Sequence, residues 1–298
     1  MRGRWAGWCF CSLGMASAGS VVVASKLAGA GLPLFTAAAL RYGLAALILV
    51  PWALVRHNGI RPCRRDWLVL IAQAVAGSLG FSILLLWGLR SSSGVDAGVI
   101  TGTLPAMVGL LSMLVPGKGG GGRVWPAIIL ASLGAASLGL APGLPEMEPS
   151  GGRWFGDLLI LGAVAGEAIF VLLNKALRAP LPPVAMSAIL CVLGLLMSLP
   201  MALTEISALD PAGVPSSAWL AVLWHAAIPT IGGFVLWYAG AARLGGAEAA
   251  VTTALMPVSA VLLSALLLGE TIGGHHLLGI GLVVAAITIQ VAAPQRRP

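Results

Sequence analysis

The chain reads as an all-α polytopic membrane protein, with ten transmembrane helices arranged as two inverted-topology five-helix repeats. Three observations predict this. Of 298 residues, 58% are hydrophobic and only 9% are charged, where a soluble domain carries about 25% charge. Apolar stretches long enough to span a bilayer recur along the whole length. One of them also returns: Asp96-Ala-Gly-Val-Ile-Thr-Gly-Thr-Leu-Pro105 aligns with Glu248-Ala-Ala-Val-Thr-Thr-Ala-Leu-Met-Pro257, 152 residues further on.

A helix needs about 20 residues to cross the hydrocarbon core. The first candidate, 5–25, follows Met-Arg-Gly-Arg, and Ala28-Gly29-Ala30 looks like a cleavage site. It has a counterpart in the second half, so it is read as a span and not as a signal peptide. Next come 33–55, opened by Pro33 and carrying Arg41, then 67–89, opened by Trp67, then 95–115 with Pro105, then 124–141. The stretch near 142–153 is rich in Pro, Gly and acids and reads as an irregular external linker. The second set is 155–176 with Glu167, 182–203 opened by Pro182, 217–239 with His225, 247–268 with Pro257, and the Gly-rich 274–293.

The register extends beyond the opening match. Lys26 aligns with Lys175, Pro33 with Pro182, and Pro51-Trp-Ala-Leu54 with Pro200-Met-Ala-Leu203, at an offset of 149. Trp67-Leu68 then meets Trp219-Leu220 at the offset of 152. Five spans per unit is odd, so the second unit crosses in the opposite sense. The expected units are 1–145 and 146–298.

Charge gives the direction. Of the 17 Lys and Arg residues, only Lys26, Arg41, Arg90 and Arg153 fall outside the loops and termini of one side. The positive-inside rule then places both termini in the cytoplasm. Asp96, Glu146, Glu148, Asp157, Glu205, Asp210 and Glu270 lie on the opposite side. The formal charge of +7 is thus explained by orientation. No basic patch is interleaved with aromatics, so nucleic-acid binding is not expected. The four cysteines, 9, 11, 63 and 191, form no CxxC pair and read as small buried hydrophobes. No metal or cofactor is expected.

This organisation resembles the EamA family of the drug/metabolite transporter superfamily. The resemblance rests on the two acid-led stretches ending in Pro105 and Pro257, on Leu268-Gly269-Glu270, and on the Gly-rich His276-Leu-Leu-Gly-Ile-Gly281. It covers essentially the whole chain. It implies ten spans, with spans five and ten away from the central cavity. It also implies a secondary transporter in a bacterial-type inner membrane, exporting or exchanging amino acids, nucleosides, sugars or drug-like compounds. Amino acid export is the specific function it favours. One departure is that Val115-Pro-Gly-Lys-Gly-Gly-Gly-Gly-Arg123 stands where members carry an acid matching Glu270.

The chemistry expected is binding and release by alternating access, without an enzymatic step. The run around Lys118 lacks the GxxxxGK[ST] order of a phosphate-binding loop. Partners would be a small-molecule substrate, protons as a coupling ion, and membrane lipid, with the protein a monomer or weak homodimer. A membrane-embedded lipid enzyme would require converging His and acids at the interface, and none is spaced that way.

Glu167 leads the candidate residues, since ten residues into its span it sits about 15 Å deep, near the midplane. A charge there is costly and normally faces protein or a water-filled cavity. It is either a proton-exchanging group or a neutral acid bonded within the bundle. His225, matched in register with Gln73, is a candidate for substrate contact or proton relay beside a structural reading. Lys26 and Lys175 sit at matched positions on opposite sides, as pathway mouths or as snorkelling side chains. Arg41 either pairs with an external acid or attracts an anionic group. Pro105 and Pro257 remove helix hydrogen bonds near Thr101, Thr103, Thr252 and Thr253, giving bends that serve either substrate contact or packing. Trp87, Trp237 and Tyr238 either stack on a solute or anchor at the membrane interface.

Overall fold

In lipid every backbone N–H and C=O must find a partner within the protein, and helices meet that demand locally. In the computed structural model the regular elements among the described residues are all helical; those residues are 2–56, 62–88, 91, 100–101, 103–113, 124–138, 153–174, 176–178, 181–207, 209–244, 246–269 and 271–292. Helices α1 (Arg2–Ala28) and α2 (Leu34–Arg56) open the chain. A rod follows, built from α3 (Arg64–Ala74), a π-helical stretch (Val75–Gly80) and α4 (Phe81–Gly88). Then come α5 (Leu104–Met113), α6 (Val124–Leu138), α7 (Arg153–Leu173) and α8 (Pro183–Ile206). A second composite rod joins α9 (Ser216–His225), π-helical turns (Ala226–Gly233) and α10 (Phe234–Ala241). The chain ends in α11 (Gly246–Thr253), α12 (Leu255–Leu268) and α13 (Gly274–Ala292).

Among the described residues, six helical segments are long and apolar enough to cross a membrane: 3–25, 34–56, 154–173, 183–206, 216–241 and 248–267. Trp125–Ser137 and Gly274–Ile289 are shorter apolar helices. The outward faces carry Leu47, Val55, Leu133 and Leu266, each well exposed, as lipid-facing side chains must be. The protein is an all-α, multi-pass membrane protein.

Contacts follow the register of the repeat. The most extensive helix pair is α2 with α8, followed by α6 with α13. Helix α1 lies against α9, the π turns that follow it, α10 and α12, while α7 lies against α3, its π stretch, α4 and α5. Small residues set these crossings, because without a hydrophobic drive in lipid, close backbone approach supplies the attraction. A methyl on Gly240 would stand 2.8 Å from the Gly7 carbonyl oxygen, and a methyl on Gly88 would stand 2.8 Å from that of Gly156. Gly7 and Gly156 are register mates, as are Gly88 and Gly240. The same crossing is therefore built twice.

The π turns have a local cause. Pro229 has no N–H to give to the His225 carbonyl one turn back, and the Thr230 hydroxyl donates to that oxygen instead, at 2.8 Å. Its register mate Gly77 lies in the first π stretch, whose end at Gly80 leaves only 2.4 Å between an added methyl and the Val75 oxygen. Glycine is thus required there. A similar logic divides α11 from α12: Pro257 cannot donate to the Thr253 carbonyl, and the chain makes a turn at Ala254. Its mate Pro105 enters α5 just after a turn at Thr103, whose amide donates to Ile100 at 3.0 Å.

Candidate functional site

Polar side chains gather between the helices in two groups. At the first, α2 presents Arg41 and Tyr42 to His225 at the end of α9. An Arg41 terminal nitrogen lies 2.5 Å from the His225 Nε2, and the other donates to the Tyr42 hydroxyl at 2.9 Å. The guanidinium also stacks over the Tyr42 ring, 4.4 Å from its centre. This geometry makes the imidazole nitrogen the acceptor and the guanidinium the donor, since Arg has no acceptor to offer. His225 and Tyr42 are buried. Cys191, the register mate of Tyr42, is buried within electrostatic reach of Arg41.

The second group surrounds Gln73 on the other composite rod. Its amide donates to the Phe170 carbonyl at 3.0 Å and to the Tyr238 hydroxyl at 3.3 Å. Its Oε1 is buried without a partner. Phe170, Phe234, Trp237 and Tyr238 form an aromatic cluster, with the Trp237 and Tyr238 ring centres 5.2 Å apart. Glu167 lies within electrostatic reach of Tyr238, as do Tyr42 and Cys191. Phe234 joins the two groups, packing against the buried cluster of Tyr42 and Cys191 and against the Tyr238 ring. Glu167 is half-buried, and among the described residues its carboxyl accepts no hydrogen bond.

The remaining sequence candidates are distributed more widely. Thr103, Thr252 and Thr253 turn their hydroxyls back onto carbonyls of their own helices, at 2.6 Å each, so their donors are spent locally. Thr101 is half-buried, Pro105 buried and Pro257 half-buried. Trp237 and Tyr238 are each 3% exposed and stand in the core, whereas Trp87 is 55% exposed. Phe170 packs against both Trp237 and Tyr238, and Phe234 against Tyr238. Cys9 and Cys63 are exposed, unlike the buried Cys11 and Cys191, and all four are free thiols. The Lys26 side chain, Lys175, Asp96, Glu270, the run 115–123 and the linker 142–152 lie outside the described residues.

Tyr42, Phe170, Cys191 and Thr230 were not singled out from the sequence. A signal for Tyr42 exists: the chain has only 2 tyrosines, and both Tyr42 and Tyr238 stand in this polar column. An apolar cavity of about 340 Å³ lies elsewhere, between α2, α3 and α8, bordered by Val50, Trp67, Ala188 and Leu196. None of the sequence candidates lines it. Among the described residues no group of His, Cys, Asp and Glu could hold a metal ion.

Ion pairing sits at the helix ends. Arg4 on α1 bonds Glu248 on α11 at 2.6 Å. Glu205, at the end of α8, accepts from the Thr36 amide at 2.7 Å and the Thr36 hydroxyl at 2.9 Å, capping α2. Asp66, before the membrane-embedded part of α3, accepts from the Arg178 amide at 3.0 Å. That backbone donor holds its carboxyl below the usual carboxylate range.

Comparison with known proteins gives a consistent outcome. The family model described as the EamA-like transporter family matches residues 5–140 and 154–291. The chain is 32% identical to "Uncharacterized transporter YetK" of Bacillus subtilis (strain 168), over 93% of this chain and 84% of that protein. It is 22% identical to "Uncharacterized transporter YyaM" of the same organism, over 85% of this chain and 82% of that one. A solved structure superposes with a TM-score of 0.79 over 98% of this chain and 99% of its own, at 19% identity, a likeness of fold alone.

Proposed function

This chain belongs to the EamA-like transporter family, and on that premise we propose that it exports amino acids by alternating access. It is a secondary-type small-molecule membrane transporter and not an enzyme. The reading proposed here is finer: ten transmembrane helices in two inverted five-helix units, 1–145 and 146–298, in a bacterial-type inner membrane with both termini cytoplasmic. The reciprocal contacts of α1 and α7, and the twice-built glycine crossing, support the duplication. The skew of basic residues supports the orientation.

The observation that carries the function is the polar column. Arg41, Tyr42, His225, Tyr238, Gln73 and Glu167 lie among the helices of a chain whose mean hydropathy is +0.98. Polar and ionisable groups inside a membrane are expensive and mark substrate or ion pathways. The two composite rods and the interrupted α11–α12 and α5 segments lie around this column. Broken or widened helices beside a central site are a recurrent arrangement in carriers built from repeats. In this reading the units rock against each other about the glycine crossings, exposing the column first to one side and then to the other. Glu167, lacking a fixed donor, takes up and releases a proton in the cycle.

Flux into proteoliposomes over amino acids, nucleosides and sugars, with and without a pH gradient, tests this. Amino acids should be carried, and the gradient should accelerate them. Preference for a nucleoside or sugar would replace the substrate class. If Glu167→Gln left both flux and its pH dependence unchanged, the proton role would be abandoned. If Pro105→Ala and Pro257→Ala preserved the rate, the interrupted segments would have no part in transport.

A further inference from the structure

The Arg41 guanidinium lies inside the bundle without an acidic partner among the described residues. Its contacts among the described residues are a neutral acceptor on His225 at 2.5 Å, the Tyr42 hydroxyl at 2.9 Å and the Tyr42 ring face. Its Nε is buried and makes no hydrogen bond among the described residues. The acids at neighbouring helix ends are committed elsewhere: Glu205 caps α2 through Thr36, and Asp210 accepts from the Ala212 amide at 3.1 Å. A cation in low dielectric without a counter-charge is unfavourable unless something supplies one.

We propose that Arg41, with the Tyr42 hydroxyl beside it, is a binding site for the carboxylate group of the transported solute. This rests on the transporter reading and narrows its substrate class. The planar guanidinium presents donors in a fork that matches the two oxygens of a carboxylate. Three sets of donor hydrogens are unassigned: that of Nε and the second hydrogen on each terminal nitrogen. The surrounding groups, Tyr42, Cys191 and His225, are uncharged partners of a single cation, so the site balances one negative charge. A phosphate dianion would bring a second charge that no further cation among the described residues of this group meets. The neighbouring aromatic cluster at Phe170, Phe234 and Tyr238 suits an apolar body attached to that carboxylate.

The test uses the purified full-length protein and four probes sharing one branched tail: leucine, 4-methylpentanoate, leucinamide and 3-methylbutylamine. Thermal unfolding in detergent reads binding without needing transport. Leucine and 4-methylpentanoate should raise the unfolding midpoint, while the amide and the amine should not. Arg41→Gln should weaken both carboxylates at least tenfold, and Arg41→Lys, which keeps the charge and loses the fork, should weaken them less. Tyr42→Phe, which keeps the ring, serves as a second variant if either arginine replacement fails to fold, and should weaken them severalfold. Equal shifts by carboxylates and by the amide or amine would overturn the proposal. So would no shift by either carboxylate, or unchanged carboxylate affinity in a folded Arg41→Gln or, should that not fold, in Tyr42→Phe. Flux of an uncharged solute by a protein that ignores these carboxylates would leave the transporter standing and remove the site. Absence of flux for every solute would instead remove the transporter reading.

Discussion

Gln73 and His225 occupy the same register position in the two composite rods, and each stands just before a π-helical stretch. Their surroundings differ. His225 accepts from a cation, Arg41, and its carbonyl is held by Thr230. Gln73 donates to a carbonyl and a phenol, with Glu167 and Tyr238 nearby. The backbone device is common to both ends, and the chemistry is not. A duplicated framework can supply the motion, since both halves need the same freedom to shift. The amino acid proposed as solute is asymmetric, and the mates Gln73 and His225, which diverged, both stand in the column.

The largest expected effect breaks the shared part of this comparison. Gly240→Ala would place a methyl 2.6 Å from the Cys11 amide nitrogen, and Gly88→Ala would place one 2.5 Å from an Ile160 side-chain carbon. Each should cost about 1–3 kcal/mol or more through overpacking. Thermal unfolding in detergent should show a clear fall in both, and a fall in only one would mean the two crossings are not equivalent. Next comes the divergent part. Exchanging the mates separates them: Gln73→His should lose the bond to the Phe170 carbonyl at a cost of about 1–3 kcal/mol, whereas His225→Gln, which retains an acceptor for Arg41, should fold nearly normally and alter flux. Equal losses of stability in both would erase the distinction.

A smaller effect is expected at Thr230. Thr230→Val removes the hydroxyl that satisfies the His225 carbonyl and should cost about 1 kcal/mol, with π turns that exchange amide hydrogens faster. The smallest concerns the tether at the mouth of α3. The depressed carboxyl of Asp66 contributes stability that is fully present above its ordinary value of 3.8 and is lost as pH falls through the lower folded value. Asp66→Asn should therefore lower the unfolding midpoint slightly at neutral pH and make no difference well below that window. A midpoint difference that persisted at the acid end would show that the carboxylate charge is not what Arg178 reads.

Much of the helical layout was legible because lipid enforces it. The six long apolar segments fall within a few residues of stretches read from hydropathy alone. The pairing of Gln73 with His225 could also be read, because Trp and Pro fixed the register. The partners of those residues could not. Apolar helices here show no strong polar face, so periodicity does not say which side of α2 meets α9, and Tyr42 beside Arg41 passed as an ordinary core residue. Trp237 and Tyr238 stand near a span end, and nothing in that position foretold that Phe170 packs against both and Phe234 against Tyr238. The π turns were hidden for another reason: Gly77 and Pro229 do not look alike, although the backbone solves a similar problem at both.

The interlock of α1 with α9 to α12 bears on how the chain is made. Helices α1 and α2 leave the ribosome long before the segments that cover Gly7 and Arg41 exist, so the early chain waits at the translocon with its packing face open to lipid. Separately synthesised fragments should accordingly be degraded one at a time and rescue each other when produced together.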